Sequence, residues 1–150
     1  MELMPFKKVT KVPSGTSVFS DVDAASDLID ILSVFSFEMI SATNKIYFRG
    51  ISAYMFESQI KFGFNKNYKI TDLEFRSPFK FMGVNELTYK GVNLFKSSLY
   101  DIQIALAKIG VSTREIDIGL KSDELGLSFF SSDYEKDLSV RLDAVTVHFN

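Results

Sequence analysis

The sequence predicts an α+β fold with a mainly antiparallel sheet, and three observations support this prediction. Apolar residues recur at helical spacing in two segments, about 21–35 and 98–109. Elsewhere apolar and polar residues alternate with a period of two, which is typical of half-buried strands. Helical and strand segments are grouped along the chain, so we expect two principal helices packed against one face of the sheet.

The first predicted helix covers about Asp21–Phe35. Ser20 is the expected N-cap, and the acidic residues that follow it suit the positive end of the helix dipole. The apolar side of this helix consists of Ala24, Leu28, Ile31, Leu32 and Phe35. The opposite side carries Asp23, Asp27 and Asp30. These aspartates form a candidate acidic binding surface, although a solvated polar face is the simpler interpretation.

The second predicted helix is better marked. Ser98 is the expected N-cap, and Asp101 lies three residues later in a capping-box arrangement. The apolar side consists of Ile102, Ala105, Leu106 and Ile109. Gly110 follows as a helix-terminating residue.

The segment between the helices predicts an antiparallel meander. Its expected strands are Phe37–Met39, Lys45–Arg49, Ile60–Phe64 and Tyr68–Phe75, while 51–57 is apolar without a clear period. Asn65–Asn67 is a turn signal between the last two. Pro78 and Gly83 indicate a loop over Arg76–Gly83.

Three more strands are expected near the C-terminus, at Arg114–Leu120, Gly126–Ser131 and Leu138–Phe149. The last has a phase slip, because its apolar residues change parity near Asp143–Ala144. We therefore expect either a bulge at this point or a strand that is covered on both faces.

Length and composition predict a single domain over residues 1–150. Fifteen phenylalanines supply a large apolar core, and no internal repeat or linker is evident in the sequence. The net charge of −2 and the scarcity of basic clusters disfavour direct binding of nucleic acid. No apolar segment is long enough for a signal peptide or a membrane span, which favours a cytoplasmic protein without membrane contact.

Reactive chemistry has little support in the sequence. No cysteine and one histidine argue against a metal site, and the glycines do not form a phosphate or dinucleotide motif, so no cofactor is expected. His148 is expected on an edge strand or facing solvent. We predict no catalytic residues and no enzyme activity, although a hydrolase that uses only carboxylates stays open.

The C-terminal third contains the strongest candidate surface for a protein partner. Six acids lie there, mostly in expected turns. Phe129 and Phe130 are adjacent in a strand, so one of them must point away from the main core. Acidic and aromatic side chains together suit a basic partner. The predicted partner-binding residues are Asp123, Glu124, Phe130, Asp133, Tyr134, Glu135 and Asp137. Polar loops are the simpler interpretation, and an exposed sheet edge that accepts a partner's strand is a further possibility.

Three blocks carry a family resemblance: SLYDIQIALAKIG (98–110), DELGLSFF (123–130) and DLSVRLDAVTVHF (137–149). Their order resembles that of small bacterial immunity proteins, in particular those of contact-dependent growth inhibition systems. The resemblance covers about the last 65 residues. It implies a protein that binds the C-terminal toxin domain delivered by a neighbouring cell, often a nuclease, and blocks its active site or substrate path.

The leading functional hypothesis is therefore a cytoplasmic immunity protein that binds a basic toxin domain. The alternative is a small acidic secretion chaperone or adaptor that binds an extended segment of another protein. Reversing the charges of Asp133, Glu135 and Asp137 is expected to slow association under the first hypothesis.

Overall fold

A computed structural model describes residues 1–16, 18–43, 46–76 and 86–149. The first half of the chain contains β1 (Glu2–Met4), β2 (Lys8–Pro13), β3 (Phe19–Asp23), α1 (Leu28–Val34), β4 (Met39–Thr43), β5 (Gly50–Met55), β6 (Ile60–Asn65) and β7 (Ile70–Arg76). The second half contains β8 (Thr88–Tyr89), β9 (Val92–Asn93), a 3-10 helix (Leu94–Lys96), α2 (Leu99–Lys108), β10 (Arg114–Ile116), β11 (Gly119–Ser122), β12 (Leu127–Phe130) and β13 (Ala144–His148).

The fold is α+β with mainly antiparallel sheets, as predicted. Among the described residues, one sheet has the strand order β3-β2-β1-β8-β9 and the other has the order β10-β11-β12-β13-β7-β6-β5-β4. The pairing of β1 with β8 is parallel, and the other strand pairs are antiparallel.

The two halves repeat one order of elements, which the sequence did not reveal. The first half has three antiparallel strands and the second a two-stranded hairpin, and in each half a helix and a four-stranded meander follow. The final strands, β7 and β13, pair antiparallel at the centre of the eight-stranded sheet. The strand order is therefore symmetric about this pair.

Local contacts repeat with the topology. Isolated bridges join Asp27 to Lys69 and Ser98 to Arg141, in each half linking the helix N-cap to the segment before the last strand. Gly50 and Gly119 open β5 and β11 at positive φ, and a Cβ at either position would overlap a carbonyl oxygen of the next strand. Both hairpins thus need glycine at the same point.

One hydrophobic core cluster includes residues from both sheets and both helices. On the inner face of the eight-stranded sheet, the ring of Phe35, which follows α1, lies 5.1 Å from that of Phe62 in β6. The apolar side of α2 packs into the core, where Ile102 and Leu106 are buried. The outer face of the same sheet is largely polar. The single domain stays a prediction.

The second helix matches its prediction closely. Ser98 is the N-cap, and its side chain and that of Asp101 form the expected reciprocal capping box. Gly110 follows the helix with a φ of +79°.

The prediction of the first helix was wrong over its first half. Ser20 lies in β3, which pairs with β2, and a side-chain oxygen of Asp23 accepts a hydrogen bond from the backbone N–H of Ala25. The helix begins only after Asp27, which is its N-cap, and Asp30 completes the capping box. The three aspartates are therefore not one acidic helix face, because they close a turn and cap the helix.

Three strand predictions in the N-terminal half also need correction. Of the predicted strand Phe37–Met39 only Met39 lies in a strand, β4, and the predicted strand Tyr68–Phe75 begins at Ile70. The predicted strand Lys45–Arg49 is wrong over 46–49, where the chain closes the β4–β5 hairpin through a hydrogen bond from Arg49 N–H to the Thr43 carbonyl. Position 45 itself lies outside the described residues, and so does the predicted loop over Arg76–Gly83 apart from Arg76, which ends β7. The turn at Asn65–Asn67 is confirmed, since Asn65 Oδ1 accepts from the Asn67 N–H.

The last strands are shorter than predicted. The segment Arg114–Leu120 divides into β10 and β11 around a turn. The predicted strand Leu138–Phe149 is wrong over its first half, because the carbonyls of Leu138 and Val140 accept hydrogen bonds from the first N–H groups of α2. The phase slip therefore marks the point where the chain leaves the helix terminus and enters β13.

Candidate functional site

A cleft lies on the outer face of the eight-stranded sheet, where β12 and β7 finish and β13 begins. The register pairs Phe130 with Ala144 and Ala144 with Arg76, so the three side chains lie side by side. Phe129 is buried in the core, and the adjacent Phe130 is on the outer face, as strand parity requires. The cleft has a volume of about 540 Å³ and is lined by Glu74, Arg76, Ile118, Phe130, Ser131, Ser132, Asp143 and Ala144.

Charged groups line this cleft in fixed positions. Arg76 Nε donates to Glu74 Oε1 over 2.6 Å, and the Glu74 side chain is mostly covered. The N–H and the hydroxyl of Ser132 donate to Asp143 Oδ2 over 2.5 and 2.6 Å. The cleft thus combines an aromatic ring with two carboxylates and one guanidinium. This combination suits an apolar or basic side chain of a partner.

An acidic loop follows β12 and borders the cleft. Asp133 and Glu135 are exposed, and neither forms an ion pair with another described residue. Asp137 differs from them, because its Oδ1 accepts the Ser139 N–H over 2.8 Å. This hydrogen bond lowers the pKa of Asp137. Asp137 also lines a separate groove with Ser98 and Tyr100.

Tyr134 points into the molecule and is only 9 % exposed. Its hydroxyl donates to the Glu115 carboxylate on β10. This hydrogen bond, together with burial, raises the pKa of Tyr134. Tyr134 therefore fixes the loop to the sheet and has little surface for a partner.

Asp123 and Glu124 lie in the turn between β11 and β12, at the other end of β12 from Phe130. A four-residue strand separates the two places by about 10 Å. Asp123 forms ion pairs with Arg114 at 2.8 Å and Lys121 at 3.0 Å. Hydrogen bonds from these two side chains lower the pKa of Asp123 to about 2. Asp123 and Glu124 thus lie apart from Phe130, whereas Asp133 and Glu135 lie in the loop that follows it and do not line the cleft themselves.

His148 does not lie on an edge strand, which was one of its two expected positions. Its strand, β13, lies between β12 and β7, and the imidazole is half-buried on the outer face. Ser128 Oγ lies 3.0 Å from His148 Nε2, and burial lowers the pKa of His148. Asp72 is its cross-strand neighbour, but the Asp72 carboxylate lies over Gly63 and accepts from Thr71 Oγ1. No hydrogen bond between Asp72 and His148 completes a triad in the described part of the chain.

Glu74 and Arg76 were not predicted as site residues. Both side chains point outward from β7. A charged pair on the outer face of a central strand itself indicates a candidate site. Their distance from Phe130 in the sequence hid the connection, because it depends on the β7–β13 pairing.

Among the described residues, no group of three histidine, aspartate or glutamate side chains is placed to hold a metal ion. The helices in the described ranges are too short or too polar to cross a membrane. Comparison with protein-family models, with curated proteins and with solved structures finds no match to this chain.

Proposed function

We propose that this protein is a cytoplasmic immunity protein that binds a cognate bacterial toxin domain and blocks its active site or substrate path. The expected partner is a basic domain, such as a nuclease. The observation that carries the proposal is the Phe130 cleft, because Ser131 and Ser132 in its lining begin the loop that carries the exposed Asp133 and Glu135.

Charge supports a basic partner on this side of the molecule. Residues 111–149 contain eight carboxylates and four basic side chains. Exposed acids of this kind accelerate association with a basic protein by electrostatic steering, and salt weakens the effect. No described lysine or arginine forms an ion pair with Asp133 or Glu135, so both carboxylates are accessible to a partner.

The cleft supplies the short-range part of the interaction. Phe130 offers an aromatic ring, and buried aromatic anchors contribute disproportionately to binding free energy. The Asp143 carboxylate beside the ring suits a lysine or arginine side chain lying over Phe130, whereas Glu74 is already paired with Arg76. The acidic loop would then cover part of the surface of a toxin domain bound at the cleft.

The direct test uses the gene immediately upstream, which we expect to encode an exported protein that ends in a toxin domain. Cells that express this domain should survive only when the present protein is co-expressed, and the two purified proteins should form a complex with one toxin domain per chain. A toxin domain that binds without being neutralised, or that does not bind at all, would contradict the proposal.

A charge-reversal pair locates the interface. Asp133→Lys with Glu135→Lys is expected to lower the association rate by about tenfold at low salt and to reduce its salt dependence. Asp137 is left unchanged because it accepts the Ser139 N–H. The control is Glu2→Lys with Glu86→Lys, which makes the same change in net charge at exposed positions near the five-stranded sheet. Glu86 pairs with Lys96 at the surface, and the loss of such an exposed pair costs little stability. Equal association rates for the two double variants would remove the loop from the interface.

The same proteins distinguish the alternative, a secretion chaperone or adaptor. A chaperone would bind an extended segment of its partner, so unfolded fragments would bind as tightly as the intact domain. An immunity protein requires the folded toxin surface.

A further inference from the structure

The two edges of the eight-stranded sheet differ. Edge strand β10 has three residues, two of them the charged Arg114 and Glu115, and short charged edges resist pairing with other chains. Edge strand β4 has five residues, Met39–Thr43, with no charge, and every one is exposed. Within the described ranges no strand pairs with the outer side of β4, so it presents backbone groups to which another strand can add.

We propose that β4 pairs antiparallel with β4 of a second copy of this chain, forming a symmetric dimer with one continuous sheet. This inference does not depend on the proposed function. An isologous contact requires a self-complementary surface. When the two β4 strands pair with Ser41 opposite Ser41, Met39 lies opposite Thr43 and Ile40 opposite Ala42 of the second copy. No like charges then meet along the strand.

Charges beside β4 favour this antiparallel arrangement. Exposed acids, Glu38 and Glu57, lie at the end where β4 begins. Exposed bases, Arg49 and Lys66, lie at the end where β4 finishes, beside the β4–β5 hairpin and the β6–β7 turn. Antiparallel pairing of two copies brings the acidic end of each against the basic end of the other. A parallel pairing would place like charges together.

Apolar side chains add area to the strand contact. Tyr47 is 70 % exposed and Phe48 is 47 % exposed at the hairpin tip. At about 150–250 Å² for a whole aromatic side chain, these two rings can bury roughly 200–300 Å² per copy. That is about a third of the 800 Å² typical of each partner in a stable interface. In the proposed register the tip lies beyond the start of β4 in the second copy, on the side of Glu38.

The molecule already contains a contact of this type. Two four-stranded meanders, β4–β7 and β10–β13, join through antiparallel pairing of their terminal strands β7 and β13. The proposed dimer repeats this arrangement at the free end of the first meander. The acidic loop after β12 then lies in the half of each chain that is remote from the dimer contact.

Sedimentation or light scattering of the purified protein from micromolar to millimolar concentration tests the inference. Wild type should reach the mass of two chains of 17.0 kDa each. Ile40→Lys should weaken the dimer by roughly 10- to 30-fold, because it places a charge in both symmetric copies of an edge contact. Ile109→Lys is the matched control, since Ile109 is 45 % exposed and Ile40 is 49 % exposed. A monomer at every concentration, or a dimer that Ile40→Lys leaves intact, would overturn the inference.

Cysteine cross-linking tests the register. The natural chain has no cysteine, so Ser41→Cys introduces a single thiol. Opposed residues of antiparallel strands have Cα atoms about 4.5–5.5 Å apart, which a disulfide can span. Mild oxidation should therefore join Ser41→Cys chains to each other, whereas Met39→Cys should join only to Thr43→Cys. Failure of Ser41→Cys to cross-link in a dimeric sample would overturn the proposed pairing.

Discussion

The two halves of the molecule share an order of elements and differ in their surfaces. Among the described residues, the first half contains thirteen exposed large apolar side chains and the second half four. Residues 1–76 have nine acidic and nine basic side chains, whereas residues 86–149 have ten and seven. The repeated backbone thus carries an apolar edge in one half and an acidic surface in the other. One architecture can therefore provide two different interfaces.

Glycine replacements test whether the halves are equivalent in structure, and here we expect the largest effect. Gly50→Ala and Gly119→Ala should each lower the free energy of unfolding by about 3–5 kcal/mol, because the new Cβ would overlap a carbonyl oxygen at positive φ. Gly91→Ala is the control, since its φ is also positive but the space around it is open. It should cost only about 1–2 kcal/mol. Chemical denaturation measures all three, and a cost at Gly119 no greater than at Gly91 would break the equivalence.

Phenylalanine replacements test whether the halves differ in binding. Phe130→Ala should weaken the complex with the upstream-encoded toxin domain by about 2 kcal/mol, or roughly 30-fold in Kd, because the cleft loses its aromatic side chain. Phe19→Ala in the first half, at an exposed position of the five-stranded sheet, should leave Kd within about twofold. Titration calorimetry gives both values. Equal losses would mean that the cleft is not the anchor.

Helix capping offers a smaller test of the shared architecture. Ser98→Ala should reduce the free energy of unfolding by about 1 kcal/mol, because the Asp101 N–H loses its side-chain acceptor. Ser98→Thr should restore most of this loss. A destabilisation that threonine does not reverse would show that the serine acts by a route other than capping.

Acid titration probes a surface ion pair of the second half and should show the smallest effect. The Arg114 and Lys121 side chains hold the pKa of Asp123 at about 2, below its unfolded value of 3.8. A carboxyl with a lowered folded pKa stabilises the protein above its unfolded pKa and loses that contribution as pH falls from about 3.8 to 2. Asp123→Asn should therefore flatten the fall in unfolding free energy over this range. An unchanged slope would show that the ion pair contributes nothing measurable.

Local signals predicted some elements well. The ends of α2 depend on local features, namely the capping box of Ser98 and Asp101 and the terminating Gly110. The sequence predicts all three. Ser20 followed by aspartates looked equally like a helix start. Its strand pairing with β2 depends on register and long-range contacts, and these outweighed the local signal.

The repeat and the cleft were beyond sequence inspection for related reasons. Gly50 pairs with Asn65 and Gly119 with Phe130, so the β5–β6 hairpin is four residues longer than the β11–β12 hairpin. The two halves therefore have no common sequence that could be aligned. The outward orientation of Phe130 could be predicted from strand parity. Its neighbours Glu74 and Arg76 could not, because only the β7–β13 pairing brings them beside it.

The division of roles between the halves is tested most directly by the mass and affinity of the complex with the toxin domain. Light scattering should give two copies of each protein for wild type and one of each for Ile40→Lys, with Kd for the toxin domain unchanged. Absence of any complex with wild type, or loss of toxin binding in Ile40→Lys, would contradict this account.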